Sequence, residues 1–136
     1  MSNPENRPVP FMTDLTRPYW TSGADGQLRI QRCSNCALWL HPPTTICSSC
    51  LSTAINFEPV SGTGTLTSFT VNHQQWYPGP TVPYIVGLVD LDEQPGLRLT
   101  TNIINCTPDE LRFDARVRVR FEPLEDVFLP LFEMEN

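Results

Sequence analysis

The stretch Leu28-Arg29-Ile30-Gln31-Arg32-Cys33-Ser34-Asn35-Cys36 and, ten residues further on, Cys47-Ser48-Ser49-Cys50 decide how this chain is read. A C-x2-C turn aims two sulfurs at one point, and two such turns complete a tetrahedral cage of four thiolates. Ten intervening residues are fewer than the common spacing of about 15–20, yet they let two knuckles face each other. The pattern predicts a closed zinc ribbon. Four protein ligands leave no position for water or substrate, so the metal is scaffold and not catalyst. Iron fits the same cage, and spacing does not separate the two metals. A redox cysteine pair would need a helix N-terminus beside a βαβ unit, and the flanks show none. Residues 28–32 alternate as a strand entering the first knuckle. His41 lies between the knuckles; with four cysteines at hand it reads as a packing or surface residue. Cys106 stands outside the set and reads as a small apolar residue with no adjacent base.

Toward the C-terminus the chain reads as strands over residues 65–71, 84–91, 97–104, 116–121 and 127–132. The second of these is a nearly continuous apolar run, as expected of a central strand buried on both faces. The fourth alternates strictly, with Arg116, Arg118 and Arg120 on one face and Val117, Val119 and Phe121 on the other. Between the third and fourth strands, Thr107-Pro108-Asp109-Glu110 has the spacing of a capping box with proline at the first helical position. Three strands, a short helix and two strands is the order of an OB-fold. A generic five-stranded sandwich is the alternative. The expected class is mainly β: a short N-terminal helix in residues 1–26, a zinc ribbon in 27–60 and a five-stranded OB-fold barrel in 61–136. Ligands of such barrels meet strands 2–3 and the loops joining strands 1–2 and 4–5. The first loop, residues 72–83, carries Trp76 and Tyr77 among prolines, and the second, residues 122–126, carries three acids.

Toward the N-terminus, a proline-rich lead holds a helix expected over residues 14–21, where Phe11, Leu15, Tyr19 and Trp20 share one apolar stripe. That stripe packs on its own domain or docks on another protein. Composition narrows the partners. All nine basic residues are arginines, against fifteen acids, for a net charge of −6. Without lysine there is no Schiff-base, pyridoxal-phosphate or phosphate-loop lysine chemistry. The acidic balance argues against nucleic acid, because neutralising phosphates needs surplus cations. A single-stranded nucleic-acid binder therefore stays the weaker alternative, although ribbons and OB-folds both occur there. No apolar run approaches the ~20 residues of a membrane helix, and no secretory signal opens the chain, so the expected compartment is the cytoplasm. The arginine strand reads either as a grip for phosphate or carboxylate, or as a solvated face balanced by nearby acids. No nucleophile–base motif stands out.

Trp20, residues 26–36, Pro42-Pro43, residues 47–50, Val60-Ser61-Gly62-Thr63-Gly64-Thr65-Leu66, Phe69 to His73 and Pro83-Tyr84-Ile85-Val86 together resemble the DUF35 family, from about Phe11 to Phe132. The resemblance implies an N-terminal helical segment, a rubredoxin-like zinc ribbon and an OB-fold. Cys33, Cys36, Cys47 and Cys50 would then be the ligands of one structural zinc. It further implies a non-catalytic accessory subunit of a thiolase-superfamily enzyme, a thiolase or thiolase-like aldolase, in an α2β2 assembly that holds or channels acyl-CoA; a MaoC-like enoyl-CoA hydratase complex is the alternative. Acyl-CoA contacts are expected at His73, Trp76, Tyr77 and Tyr84 and at Arg116, Arg118 and Arg120. The partner contacts are expected at Phe11, Leu15, Tyr19 and Trp20.

Overall fold

The computed structural model describes residues 7–74 and 82–135. An extended lead runs into a short helix, α1 (Arg17–Thr21), and a 3₁₀ turn over Ser22–Asp25. The helix starts three residues later than expected. Thr13 and Thr16 close a turn on each other, each hydroxyl accepting from the other's backbone N–H at 3.2 and 2.9 Å, which competes with helical pairing.

Strand β1 (Arg29–Cys33) is the centre of a three-stranded antiparallel sheet, flanked by β2 (Trp39–Leu40) and β3 (Ile55–Pro59). Neither flanking strand was expected. β2 is two residues long, and β3 ends on a proline, so neither carries a readable period. The remaining strands, β4 (Thr63–Asn72), β5 (Tyr84–Leu91), β6 (Arg98–Ile104), β7 (Ala115–Leu124) and β8 (Val127–Met134), close into a barrel of order β4-β5-β6-β8-β7. A parallel contact between β6 and β8, Ile103 opposite Phe132, completes the ring. This is the OB-fold, and closure excludes the open sandwich. The 3₁₀ turn Pro108–Glu110 sits where the capping box placed it, with the Thr107 N–H donating to Glu110 Oε1 at 2.9 Å.

Two expectations change with closure. β5 is not buried on both faces: it alternates, Ile85, Gly87, Val89 and Leu91 inward and Tyr84, Val86, Leu88 and Asp90 half-buried outside. A barrel interior takes only every second side chain. β8 is instead the strand covered on both sides, because the lead lies across its outer face: Met12 and Trp20 pack on Leu129 and Leu131. The 122–126 loop also shrinks. β7 runs to Leu124, and Glu125-Asp126 make a two-residue hairpin turn with Glu125 at φ 57°, so the acidic loop is not a ligand-gripping arm.

Ribbon, barrel and lead share one core. Leu28, Ile30 and Trp39 from the ribbon and Tyr19 from the lead pack in the same cluster as Leu66, Val89, Leu99, Val117 and Phe132. Gly23 allows the close approach: a Cβ there would lie 2.3 Å from the Phe121 ring. Two glutamine side chains act as strand surrogates. Gln94, in the β5–β6 turn, accepts from the Trp39 N–H at 3.0 Å and donates to the Trp39 carbonyl at 3.1 Å, fastening ribbon to barrel. Buried Gln31 does the same to Thr44, at 2.7 and 3.0 Å, and holds the loop between the knuckles.

His41 packs against the Tyr19 ring, 5.0 Å between centroids. Burial lowers its pKa from the usual 6.5 to about 4. The folded state thus resists a proton that the unfolded chain accepts, so the stabilisation is complete above pH 6.5 and is lost as pH falls toward 4. The shift corresponds to roughly 3 kcal/mol in full. Urea midpoints of the parent and of His41→Phe at pH 7 and about pH 4.5 should show the parent losing about 2 kcal/mol more than the variant. Equal losses would remove His41 as the sensor.

Candidate metal centre and barrel cavity

The two knuckles are built alike. Cys33 N–H donates to the Leu38 carbonyl and Cys47 N–H to that of Ser52, both at 2.9 Å. After each second cysteine comes a residue with positive φ, Ala37 at 67° and Leu51 at 64°, whose N–H donates back to the first cysteine's carbonyl. Left-handed backbone costs a non-glycine residue of the order of 1–2 kcal/mol, so both knuckles are held by something stronger than local preference. All four Sγ atoms lie within 4.8 Å of one another, and the Cys33–Cys50 and Cys36–Cys47 pairs are 3.5 Å apart. A tetrahedron with zinc–sulfur bonds of about 2.3 Å has sulfur–sulfur edges of about 3.8 Å, so the cage fits one zinc with slight adjustment. Local hydrogen bonds lower two of the four thiols, whereas Cys36, despite its backbone hydrogen bond at Leu38, is pushed up to about 12 by burial and the neighbouring sulfurs in the metal-free cage. The Asn35 amide and then the Ser52 N–H lower the Cys50 pKa to about 6, and the Cys50 and Ser49 amides lower that of Cys47. The structure thus places all four cysteines together as expected.

The residues proposed to meet acyl-CoA do not form one cluster. His73 is exposed just beyond β4, while Arg116 lies opposite Thr65 near the other end of that strand. Eight residues of extended chain put these about 25 Å apart. Trp76 and Tyr77 lie outside the described residues. The arginine face is laced with acids. Arg116 forms a two-pronged pair with Asp92 at 2.7 and 2.6 Å, and it is the main reason the Asp92 pKa falls to about 2. Arg118 donates to Glu133 at 2.8 Å, and Arg120 lies 3.8 Å from the same carboxylate. Asn105 holds the other Glu133 oxygen at 2.7 Å. These are cross-strand pairs on a half-exposed face, each worth about 1 kcal/mol or less.

The apolar stripe divides as well. Tyr19 is buried and Trp20 half-buried against this chain's own barrel, whereas Phe11 is 86% exposed and Leu15 is 36% exposed. What sequence reading missed is that Tyr19, Trp20 and Tyr84 meet. They line a cavity of about 410 Å³ between the lead and the barrel wall. Residues 7–10 form one side, and Val86, Thr100, Thr101, Asn102, Leu129, Pro130 and Leu131 form the floor on β5, β6 and β8. Arg7 anchors the lead there, through its ion pair to Glu122 on β7 and its Nε–H donation to Asn102 on β6. No signal in the sequence joins residues 7 and 102.

A family model described as the rubredoxin-like zinc ribbon domain of ChsH2 matches residues 20–56, and one described as the C-terminal OB-fold domain of ChsH2 matches residues 57–122. The chain is 32% identical over 127 residues to the probable enoyl-CoA hydratase alpha subunit of Thermomonospora curvata, covering 93% of this chain and 39% of that protein. It is 27% identical over 123 residues to a DUF35 domain-containing scaffold protein of Methanothermobacter thermautotrophicus, covering 85% and 87% of the two chains. The chain therefore spans about two fifths of the hydratase subunit and most of the scaffold protein. Among solved structures it superposes on a chain of the Ltp2-ChsH2(DUF35) aldolase with a TM-score of 0.83 at 31% identity, over 93% of this chain and 98% of that one. The zinc-ribbon description and the four-sulfur geometry agree, and the metal of this site is one structural zinc.

Proposed function

This chain belongs to the DUF35 family in its ChsH2 form, and on that premise we propose that it is an accessory subunit of a thiolase-fold enzyme, in an α2β2 assembly that supports acyl-CoA binding. The observation that carries this reading is the match along 98% of a chain from the Ltp2-ChsH2(DUF35) aldolase. The side chains agree with such a role. Cys106 is half-buried beside the core, and burial and then Glu110 raise its pKa, which disfavours a nucleophilic thiolate. His41 is packed on Tyr19, and among the described residues neither group has a catalytic partner. The chain offers recognition surfaces: Phe11 and Leu15 on the lead, with Tyr19 and Trp20 behind them fixing the angle at which the lead is presented. The work belongs in the cytoplasm, where four reduced thiolates persist; among the described residues no helix is long and apolar enough to cross a membrane.

For acyl-CoA, Tyr84 at the cavity and the exposed His73 are the contacts this reading favours, with Trp76 and Tyr77 between them in sequence. Arg116, Arg118 and Arg120 would accept a phosphate only in exchange for Asp92 and Glu133. A second reading, membership of a MaoC-like enoyl-CoA hydratase complex, has its support in the Thermomonospora curvata relative.

Co-expression with a thiolase-fold candidate and, separately, with a MaoC-like candidate decides between them. Gel filtration with light scattering should give a 2:2 complex with the thiolase-fold protein, whose acyl-CoA turnover depends on this chain. Phe11→Glu and Leu15→Glu should weaken that complex tenfold or more, the usual cost of losing an apolar anchor. A complex with the hydratase alone would favour the second reading, and free monomer with unchanged turnover in both cases would defeat both.

A further inference from the structure

We propose that the cavity between the lead and the β5–β6–β8 wall binds an uncharged, mostly apolar molecule or group that presents one acceptor oxygen to the Tyr19 hydroxyl. The inference rests on this chain's own geometry and not on the partnership proposed above. At about 410 Å³ the cavity lies in the range of small-molecule sites, roughly 300–1,000 Å³, and is far larger than packing voids. Val86, Trp20, Leu129 and Leu131 make the walls largely apolar. The polar groups around it are mostly committed already. Arg7 is neutralised by Glu122, Asn102 donates to the Ile85 carbonyl at 2.9 Å, and Thr101 donates to the Pro130 carbonyl at 2.9 Å.

Tyr19 is the exception. It is 6% exposed, its ring is held edge-on against Trp20 at 4.9 Å, and among the described residues its hydroxyl has no hydrogen-bond partner. That oxygen is not sealed off, since the fully enclosed side-chain atoms without a partner among the described residues are Glu93 Oε1 and Glu122 Oε1, so a molecule entering the cavity can reach and pair it. Desolvation raises its pKa, so the phenol stays protonated and donates at neutral pH. An acceptor oxygen entering the cavity would pair it. An anion would not fit. The cavity's one cation, Arg7, already faces Glu122, and an unpaired charge in an apolar site is heavily penalised.

Calorimetric titration of the zinc-loaded chain with four molecules of one skeleton tests this: n-butylbenzene, 4-phenyl-2-butanone, 4-phenylbutyrate and 4-phenylbutyryl-CoA. The hydrocarbon and the ketone should bind saturably, and the carboxylate at least tenfold more weakly. Tyr19→Phe should weaken the ketone about fivefold, the worth of one hydrogen bond, and leave the hydrocarbon unchanged. Val86→Trp, which fills the cavity from a half-exposed position, should abolish both while the melting temperature holds. If the CoA thioester also binds and is lost in Val86→Trp, the natural source is the acyl group of a thioester. If only the ketone binds, the source is a free neutral molecule. The proposal is overturned if neither ketone nor hydrocarbon binds, if carboxylate and ketone bind alike, or if Val86→Trp binds as the parent does. None of these results depends on whether a thiolase-fold partner exists.

Discussion

Removing the zinc, by chelation or by Cys47→Ser, should unfold the ribbon and lower the melting temperature of the whole chain by more than about 20 °C. Structural zinc contributes roughly 10–16 kcal/mol in small modules, as much as the total stability of a typical domain, about 5–15 kcal/mol. The ribbon has little else to hold it. Its sheet has three strands, one of them two residues long, and Ala37 and Leu51 sit in left-handed backbone that the metal compensates. The damage should spread. Leu28, Ile30 and Trp39 share a core with Leu66 and Val89, and Gln94 reaches from the barrel to pair with the Trp39 backbone. Cys36→Ser should cost less than Cys47→Ser, because Cys36 is exposed and Cys47 fully buried. Calorimetry with and without chelator, joined to amide exchange over residues 29–33 and 55–59, is the measurement. An apo chain with unchanged melting temperature and unchanged protection would refute the structural role.

Phe132→Ala should destabilise the barrel by about 3–5 kcal/mol, a large part of the total. Phe132 is fully buried and stands where the barrel closes: opposite Val119 in the antiparallel β7–β8 ladder and opposite Ile103 in the parallel β6–β8 contact. Among the described residues only two ladder pairs, with the Thr101 hydroxyl donating to the Pro130 carbonyl beside them, join β6 to β8, so hydrogen bonds alone hold that seam weakly. Truncation removes the side chain that fills it and leaves a cavity that rigid strands cannot close. Denaturant unfolding should show a lower midpoint, and a loss under about 1 kcal/mol would mean that the seam is held elsewhere.

The metal centre was legible because it is local. Two C-x2-C turns carry their geometry within four residues each, and the intervening ten need only reach. The barrel was legible because alternation reports which face is inward, residue by residue, and the Thr107–Glu110 box marks one short turn. The ribbon's flanking strands were not, since two residues have no period and Pro59 ends the other. β5 read as buried on both faces because apolar side chains do not say whether the wall beyond them is protein or a cavity.

The sequence by itself thus determined the four metal-binding cysteines and the order of the barrel strands along the chain, carried by spacing and alternation within short segments, and the family, carried by a pattern spread along the chain. Tertiary structure alone decided what those segments do to one another. It set the arginines of β7 against Asp92 and Glu133, divided the lead's apolar stripe into buried Tyr19 and exposed Phe11, and brought Tyr19, Trp20 and Tyr84 around one cavity. The contacts responsible join residues 55 and 95 positions apart, Gln94 to Trp39 and Arg7 to Asn102. Such pairs are chosen by the closure of the barrel and not by any local preference of the chain, which is why no pattern along the sequence announces them.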